Sequence, residues 1–266
     1  MKNILVSIYL LCVCNLSAQF VPVDFIKKIK SYQNSVEIKY ITEKNIDVID
    51  STTFHLHEYM KMFNAIEIKN KNNFFDYFYF DNYVDGRPYI YVKNKNCNFI
   101  DEIMKQINGR YLDDTEAATF VHSKIYSFLN DSVNRAFNNI VPKNSEEGFV
   151  QYLFFREFGE QFALKWHAAY KEKYVITSKD ELENIIKKYS ENKSFLVDTM
   201  QLKILFDINP TPTILFDKEK YVITWHEIET HNGIFQRTYS ISQDFPYQIV
   251  LLEEKKIINI YMMFNY

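Results

Sequence analysis

Between Thr213 and Met262 the chain repeats a pattern that leaves few folds open: short runs alternating apolar and polar residues, separated by charged or Asn-Gly breaks. Thr213 to Phe216, Tyr221 to Thr230, Ile234 to Ser242, Tyr247 to Leu252 and Ile257 to Met262 read as strands, because successive strand side chains point to opposite faces. The breaks Asp217-Lys218-Glu219, Asn232-Gly233, the segment near Pro246 and Glu253-Glu254-Lys255 are too short for a helical crossover. Neighbouring strands should therefore pair antiparallel, as a meander.

The other end of the chain points to a compartment. Met1-Lys2-Asn3 is a short basic start, Ile4 to Val13 an almost unbroken apolar run, and Asn15-Leu16-Ser17-Ala18-Gln19 a small polar exit. That is the layout of a secretory signal peptide over residues 1–18, cut after Ala18. Its apolar run is shorter than the about 20 residues a bilayer-spanning helix needs. The expected destination is the periplasm, the cell envelope or the medium, with no transmembrane helix in the mature chain. Removing the leader removes Cys12 and Cys14 and leaves Cys97 alone, so no intramolecular disulfide can form. Stability must come from the core, and a chain of 266 residues with 47% hydrophobic and 17% aromatic side chains has the material for one.

Several function classes lose their sequence support. Gly86, Gly109, Gly148, Gly159 and Gly233 are isolated, so no phosphate-cradling loop, dinucleotide fingerprint or nucleophile elbow can be written, and no cofactor is expected. With 31 Lys plus Arg against 34 Asp plus Glu the net charge is −3, which offers nucleic acid no electrostatic footprint. Lys27, Lys28 and Lys30 form the densest basic patch, expected on the solvated side of a short helix.

Residues 19–112 read as an N-terminal α/β region and residues 113–266 as a helical segment followed by the meander, the two forming one domain or two. Val23 to Tyr32 should be a short helix, Ser35 to Thr42 a strand, Thr52 to Phe63 a helix and Ala65 to Lys69 a strand. Phe74 to Val92 is an aromatic hairpin. A two-residue turn at Asp85-Gly86 would set Val84 opposite Arg87, Asn82 opposite Tyr89 and Phe80 opposite Tyr91. Alternation then puts Phe74, Phe78 and Phe80 on one face, expected in the core, and Tyr77, Tyr79 and Tyr83 on a half-wet face that could stack on a ligand. A helix at Phe99 to Asn108 and a longer one from Asp113 to Pro142 should follow. Asn144 or Ser145 should cap a helix reaching Glu172, and Tyr174 to Thr177 is a short strand. Ser178 with Glu181 caps a helix to Tyr189, and Asp198 to Phe206 is a further short helix.

Candidate chemistry is sparse. His55 and His57 would share a face and could ligate a metal if extended, but the helix expected there makes residues two apart diverge. Trp225, Glu227, Glu229 and His231 share one face of a strand, with His226 on the other across from Tyr239, and the polar three read as a solvated hairpin edge. On the helix after Ser145, Arg156, Glu160 and His167 occupy a narrow polar sector, whereas Glu157 falls in an apolar face and must be paired or carry a raised pKa. Glu157, Glu160 and His167 are thus the acid/base candidates. The order helix, short strand, helix, meander from Ser145 onward resembles a cone-shaped NTF2-type fold, a likeness of element order that implies no activity.

The expected product is an exported α+β protein with a small mixed N-terminal sheet and central helices on a C-terminal meander. Its expected role is non-catalytic binding of a ligand or an envelope protein. The alternative is an envelope hydrolase using a carboxylate/His pair on the central helix, alone or with a metal.

Overall fold

The computed structural model describes residues 19–42, 54–78, 89–96, 135–159, 173–192, 195–197, 207–229 and 232–262, with single positions between 105 and 127. Its helices are α1 (Asp24–Thr42), α2 (Leu56–Lys61), α3 (Glu146–Phe154) and α4 (Lys179–Glu191). Its strands are β1 (Gln19–Phe20), β2 (Ile66–Ile68), β3 (Asn73–Phe78), β4 (Tyr89–Asn94), β5 (Ile140–Pro142), β6 (Lys173–Ile176), β7 (Phe195–Val197), β8 (Thr213–Asp217), β9 (Lys220–Glu229), β10 (Gly233–Ser242) and β11 (Ile249–Met262). The main sheet has the order β1-β8-β9-β10-β11-β7, entirely antiparallel, and β6 shares one edge of β9 with β8. Strands β2 and β5, and β3 and β4, make two small antiparallel pairs. The fold is α+β.

Alternation in the meander places two apolar clusters on opposite faces of this sheet. Tyr221, Ile223, Trp225, Tyr239 and Ile241 join α1, α2 and α3 in one cluster. Ile228 and Ile234, one residue out of phase, join Leu182, Ile185 and Tyr189 of α4 in the other. Helix α3 is enclosed on all sides from Gly148 to Phe154, as its two apolar faces require. Its cap also follows the sequence: Ser145 Oγ accepts from the Gly148 N–H at 3.1 Å. Gly148 itself is obligatory, since a Cβ there would lie 2.1 Å from the Lys143 carbonyl oxygen. Ser178 caps α4 in the same way, accepting from the Glu181 N–H at 3.2 Å. The Glu181 carboxylate turns back to the Thr177 N–H and hydroxyl, both at 2.8 Å.

Four elements depart from expectation. Residues 35–42 continue α1 instead of forming a strand, because Val36 extends the stripe Phe25, Ile29, Val36 at helical spacing and is buried with it. Of the three lysines expected on a solvated side, Lys27 and Lys28 are exposed, but Lys30 is half-buried: it pairs with Glu181 of α4 and donates to the Val175 carbonyl at 3.0 Å. Residues 137–142 form a tight turn and strand β5 instead of the end of a helix, since the backbone of Ile140 pairs with Ile68. Residues 249–262 are one strand, not two. Glu253-Glu254-Lys255 stays in register opposite Thr238, Arg237 and Gln236, and the irregularities fall on either side of it. Strand β7, too short to show in the sequence, closes the end of β11.

The aromatic hairpin also differs. Tyr89 pairs with Phe78 and Tyr91 with Asp76, so the ladder is offset by four residues from the register of an Asp85-Gly86 two-residue turn. Its inner face is the one bearing Phe75 and Tyr77, which pack on the core, while Phe74 is exposed and Asp76 pairs with Lys93. Covering by Phe54 and Phe155, 5.1 Å from the Tyr77 ring and 6.2 Å from the Phe75 ring respectively, overrides the preference of Phe over Tyr for burial. Apart from the single positions noted above, the helices expected at 99–108, 113–134 and 198–206 lie outside the described residues, as does the chain before Gln19.

Candidate functional site

The densest polar cluster among the described residues lies on the α3 face of the sheet, at the far end of the β9–β10 hairpin. The loop between these strands has three residues, with Glu229 opposite Gly233, and this puts Arg237 opposite Trp225. Gly233 carries φ 138°, and a Cβ there would meet the Ile258 carbonyl oxygen at 1.9 Å, so the close approach of β11 needs glycine. From its position on β10 Arg237 reaches three carboxylates on the two neighbouring strands. Nη1 bonds to Glu227, Nη2 donates to Glu229 at 2.5 Å and Nε donates to Glu254 on β11 at 2.7 Å. Phe235 lies under the guanidinium, 5.0 Å from its carbon.

Glu227 is 0% exposed. Its Oε1 accepts from the Trp225 indole N–H at 2.6 Å and more distantly from the Tyr239 hydroxyl at 3.4 Å, and Arg237 takes the other oxygen. Burial pushes the Glu227 carboxyl above its ordinary value, and Lys173, Arg237 and the indole offset only part of that. For Arg237 burial acts downward, but the surrounding carboxylates outweigh it and hold the guanidinium charged. Burial likewise raises the Tyr239 hydroxyl, and Glu227 and Glu157 raise it further.

The network continues into the end of α3. Past Phe154 the helix widens into a single π turn, Phe155–Gly159, which carries Glu157 toward β6. There Glu157 accepts from Lys173 Nζ at 2.9 Å and sits 3.4 Å from Arg156 Nε, with Lys173 also 5.1 Å from the Phe158 ring. Of the two outcomes expected for a carboxylate in the apolar face, a partner or a raised pKa, Glu157 shows the partner. Chemically the arrangement is a clamp. Both Glu227 oxygens face donors and none faces solvent, whereas a general acid must reach the proton it transfers.

The sequence reading of "WHEIETHNG" as a solvated edge is overturned at Glu227. Taking Asn232-Gly233 as a two-residue turn pairs His226 with Tyr239, whereas the actual partner is Gln236. An odd slip of this kind turns every side chain to the other face, so a two-residue turn would set Arg237 on the face opposite Glu227. The sequence reading did not single out Arg237, Lys173 or Glu254; the place of Arg237 between Phe235 and Tyr239, two inward positions, is the signal that could have found it.

The remaining candidates do not converge. His55 precedes α2 in an extended conformation and His57 lies on it, both exposed. Among the described residues no group of three His, Cys, Asp or Glu side chains meets in a way that could hold a metal. Glu160, His167, Tyr79 and Tyr83 lie outside the described residues. No helix among the described residues is long and apolar enough to cross a membrane. No protein-family model, no curated protein and no solved structure matches the chain.

His226 stands apart on the α4 face. It is buried, and among the described residues neither ring nitrogen has a hydrogen-bond partner. Burial lowers its pKa below 6.5, and the nearby Pro210 carbonyl opposes that shift without completing a bond. The unfolded chain therefore binds the proton more readily than the folded one, so stability is full above about pH 6.5 and declines as pH falls toward the folded pKa. His226→Leu should flatten this decline: urea midpoints measured at pH 7.5 and 5.0 should fall less in the variant than in the parent. Equal falls would mean that the imidazole is not held neutral.

Proposed function

We propose that this chain is an exported, non-catalytic protein that binds a ligand or partner at the aromatic end of its main sheet. The observation that carries the reading is a run of five rings whose two ends lie open. Phe245 is 66% exposed and contacts Tyr247 at 5.8 Å; Tyr247 contacts Phe149 at 5.8 Å; Phe149 stacks on Tyr221 at 4.2 Å; Tyr221 contacts Phe216 at 4.9 Å. Phe216 is again exposed, at 39%. Rings anchored in the core lose little side-chain freedom on binding, which favours a flat, partly apolar ligand such as a sugar ring. Lys69 Nζ stands 5.1 Å from the Phe245 ring and supplies a donor beside it. The leader-like residues 1–18 support export, where envelope glycans are at hand.

Hydrolysis has less support, because Glu157 is already engaged by Lys173 and Arg156. The test is thermal unfolding of the full chain against envelope glycan fragments. A ligand at 100 times its Kd adds about 2.7 kcal/mol, a rise in midpoint of roughly 5–10 °C. Phe245→Ala, at an exposed position, should leave the unliganded midpoint almost unchanged and abolish the rise. No rise with any fragment, or a rise that survives Phe245→Ala, overturns the reading.

A further inference from the structure

We propose that the sugar taken at the aromatic end of the sheet is an acidic one, its ring lying on Phe245 and its carboxylate on Lys69. The inference rests on the ring platform argued above and names the class of ligand it selects. Cations stand over rings at several places among the described residues, and most are already neutralised. Lys30, Lys93, Arg156, Lys173 and Arg237 each also pair with a carboxylate. Among the described residues Lys69 and Lys256 do not. Lys256 donates to the Asn232 side chain at 2.9 Å, and the ring beneath it, Phe235, is buried. The ring beside Lys69 is Phe245, 66% exposed. Lys69 is thus the cation that joins an unneutralised charge to an open ring.

Both halves of the site are held before any ligand arrives. The Lys69 backbone N–H donates to the Asn139 carbonyl at 2.9 Å and its Nζ to the Asn138 carbonyl at 2.6 Å, which ties the side chain to the turn at Phe137–Asn139. An ammonium has three N–H groups, so two are left for a ligand. Nearby carboxylates do not claim them: Glu67 lies 3.7 Å from Lys143, and Asp244, next to Phe245, makes no ion pair with Lys69. Burial lowers the Lys69 pKa with no acidic group opposing it, and a bound carboxylate would offset that cost. The loop bearing Phe245 is closed by the Gln248 N–H donating to Ser242 Oγ at 2.8 Å and the Gln243 N–H to the Glu219 carbonyl at 2.9 Å. Its ring meets Tyr247, which packs on Phe149 and Tyr152 at 5.8 Å and 5.7 Å. A platform fixed in this way loses little freedom on binding. A pyranose offers an apolar C–H face to a ring and, in an acidic sugar, a carboxylate at its edge, so one residue can meet Phe245 and Lys69 together. Charge also sets the direction. At the other end of the run Glu146 stands close enough to Tyr221 to raise its hydroxyl pKa, behind the larger effect of burial, so the acidic sugar belongs at the Phe245 end.

Isothermal titration of the full chain should show tetragalacturonate binding roughly 5- to 10-fold more tightly than the same tetrasaccharide with its carboxylates methyl-esterified. N-acetylglucosaminyl-N-acetylmuramate against chitobiose makes the same comparison for a cell-wall sugar, so the two pairs separate a uronic acid polymer from a wall glycan as the source. Lys69→Gln should abolish the preference for whichever acid binds, leaving the neutral form's affinity and the unliganded midpoint unchanged, while Lys69→Arg should keep it. In the parent, raising salt from about 0.05 to 0.5 M should weaken the acid and spare the neutral form. Equal affinity for acid and neutral forms, or a preference that survives Lys69→Gln, would overturn this inference and leave the platform standing if Phe245→Ala still abolishes binding. Binding of none of these sugars would overturn both.

Discussion

Replacing Arg237 by Met is expected to lower the unfolding free energy by about 3–5 kcal/mol, the cost of leaving a buried carboxylate without its cation. Glu227 has no exposed surface and Arg237 is itself 8% exposed, so solvent cannot readily take over the lost contact. The loss should depend on pH. Without the guanidinium the folded state holds Glu227 with its pKa raised further, and a carboxyl raised above its unfolded value contributes stability at low pH that is lost as pH rises. The variant should therefore lag the parent more at pH 8 than at pH 5, as measured by urea unfolding at both. Adding Glu227→Gln should recover a large part of the loss, because it removes the stranded charge. A deficit independent of pH, or no recovery in the double variant, would show that packing around Arg237 and not its charge holds the strands.

Trp225→Ala should cost a similar amount, about 3–5 kcal/mol, for a different reason. The indole is fully buried and packs against Phe158 at 5.7 Å, Tyr239 at 5.5 Å and Phe154 at 6.5 Å, so its removal opens a cavity where α3 meets the sheet. Trp225→Phe separates the two contributions: it retains most of the ring but loses the N–H that Glu227 accepts. A bond to a charged acceptor contributes about 1.5–3 kcal/mol, so Trp225→Phe should fall between the parent and Trp225→Ala. If Trp225→Phe equals the parent in chemical unfolding, the 2.6 Å contact adds nothing to stability.

The two experiments test one arrangement by which the sheet carries charge inside. Arg237 ties β9, β10 and β11 together, and Lys173 with Glu157 extends the tie from β6 to the end of α3. Lys30 and Glu181 make a comparable link between α1 and α4. There Glu181 is pushed up by its own burial but brought below its ordinary value by Lys30 and the two Thr177 bonds. Both links, Lys30 with Glu181 and Lys173 with Glu157, join elements distant in sequence, as a long-range tie between packed elements must.

Much of this molecule was legible along the chain. The strands of the meander follow from alternation, the caps at Ser145 and Ser178 from a hydroxyl placed before a helical run, and the pairing of Glu157 from its place in an apolar face. These are local signals: each depends on residues within one or two turns or on a two-residue repeat, and backbone geometry ties that spacing directly to a face. Other features depended on what came to lie beside them. Val36 is helical because α1 packs on α2 and the sheet, Glu253-Glu254-Lys255 stays in a strand because Arg237 stands opposite Glu254, and Tyr77 turns inward because Phe54 covers it. The buried Glu227 is the sharpest case. Its sequence neighbours mark a polar hairpin edge, and only the register across a three-residue loop brings Arg237 to it. Burying a charge is tolerable only with a partner, and the partner here is ten residues away and on another strand, so composition and periodicity determined the elements while the tertiary pairing decided which charges could be enclosed.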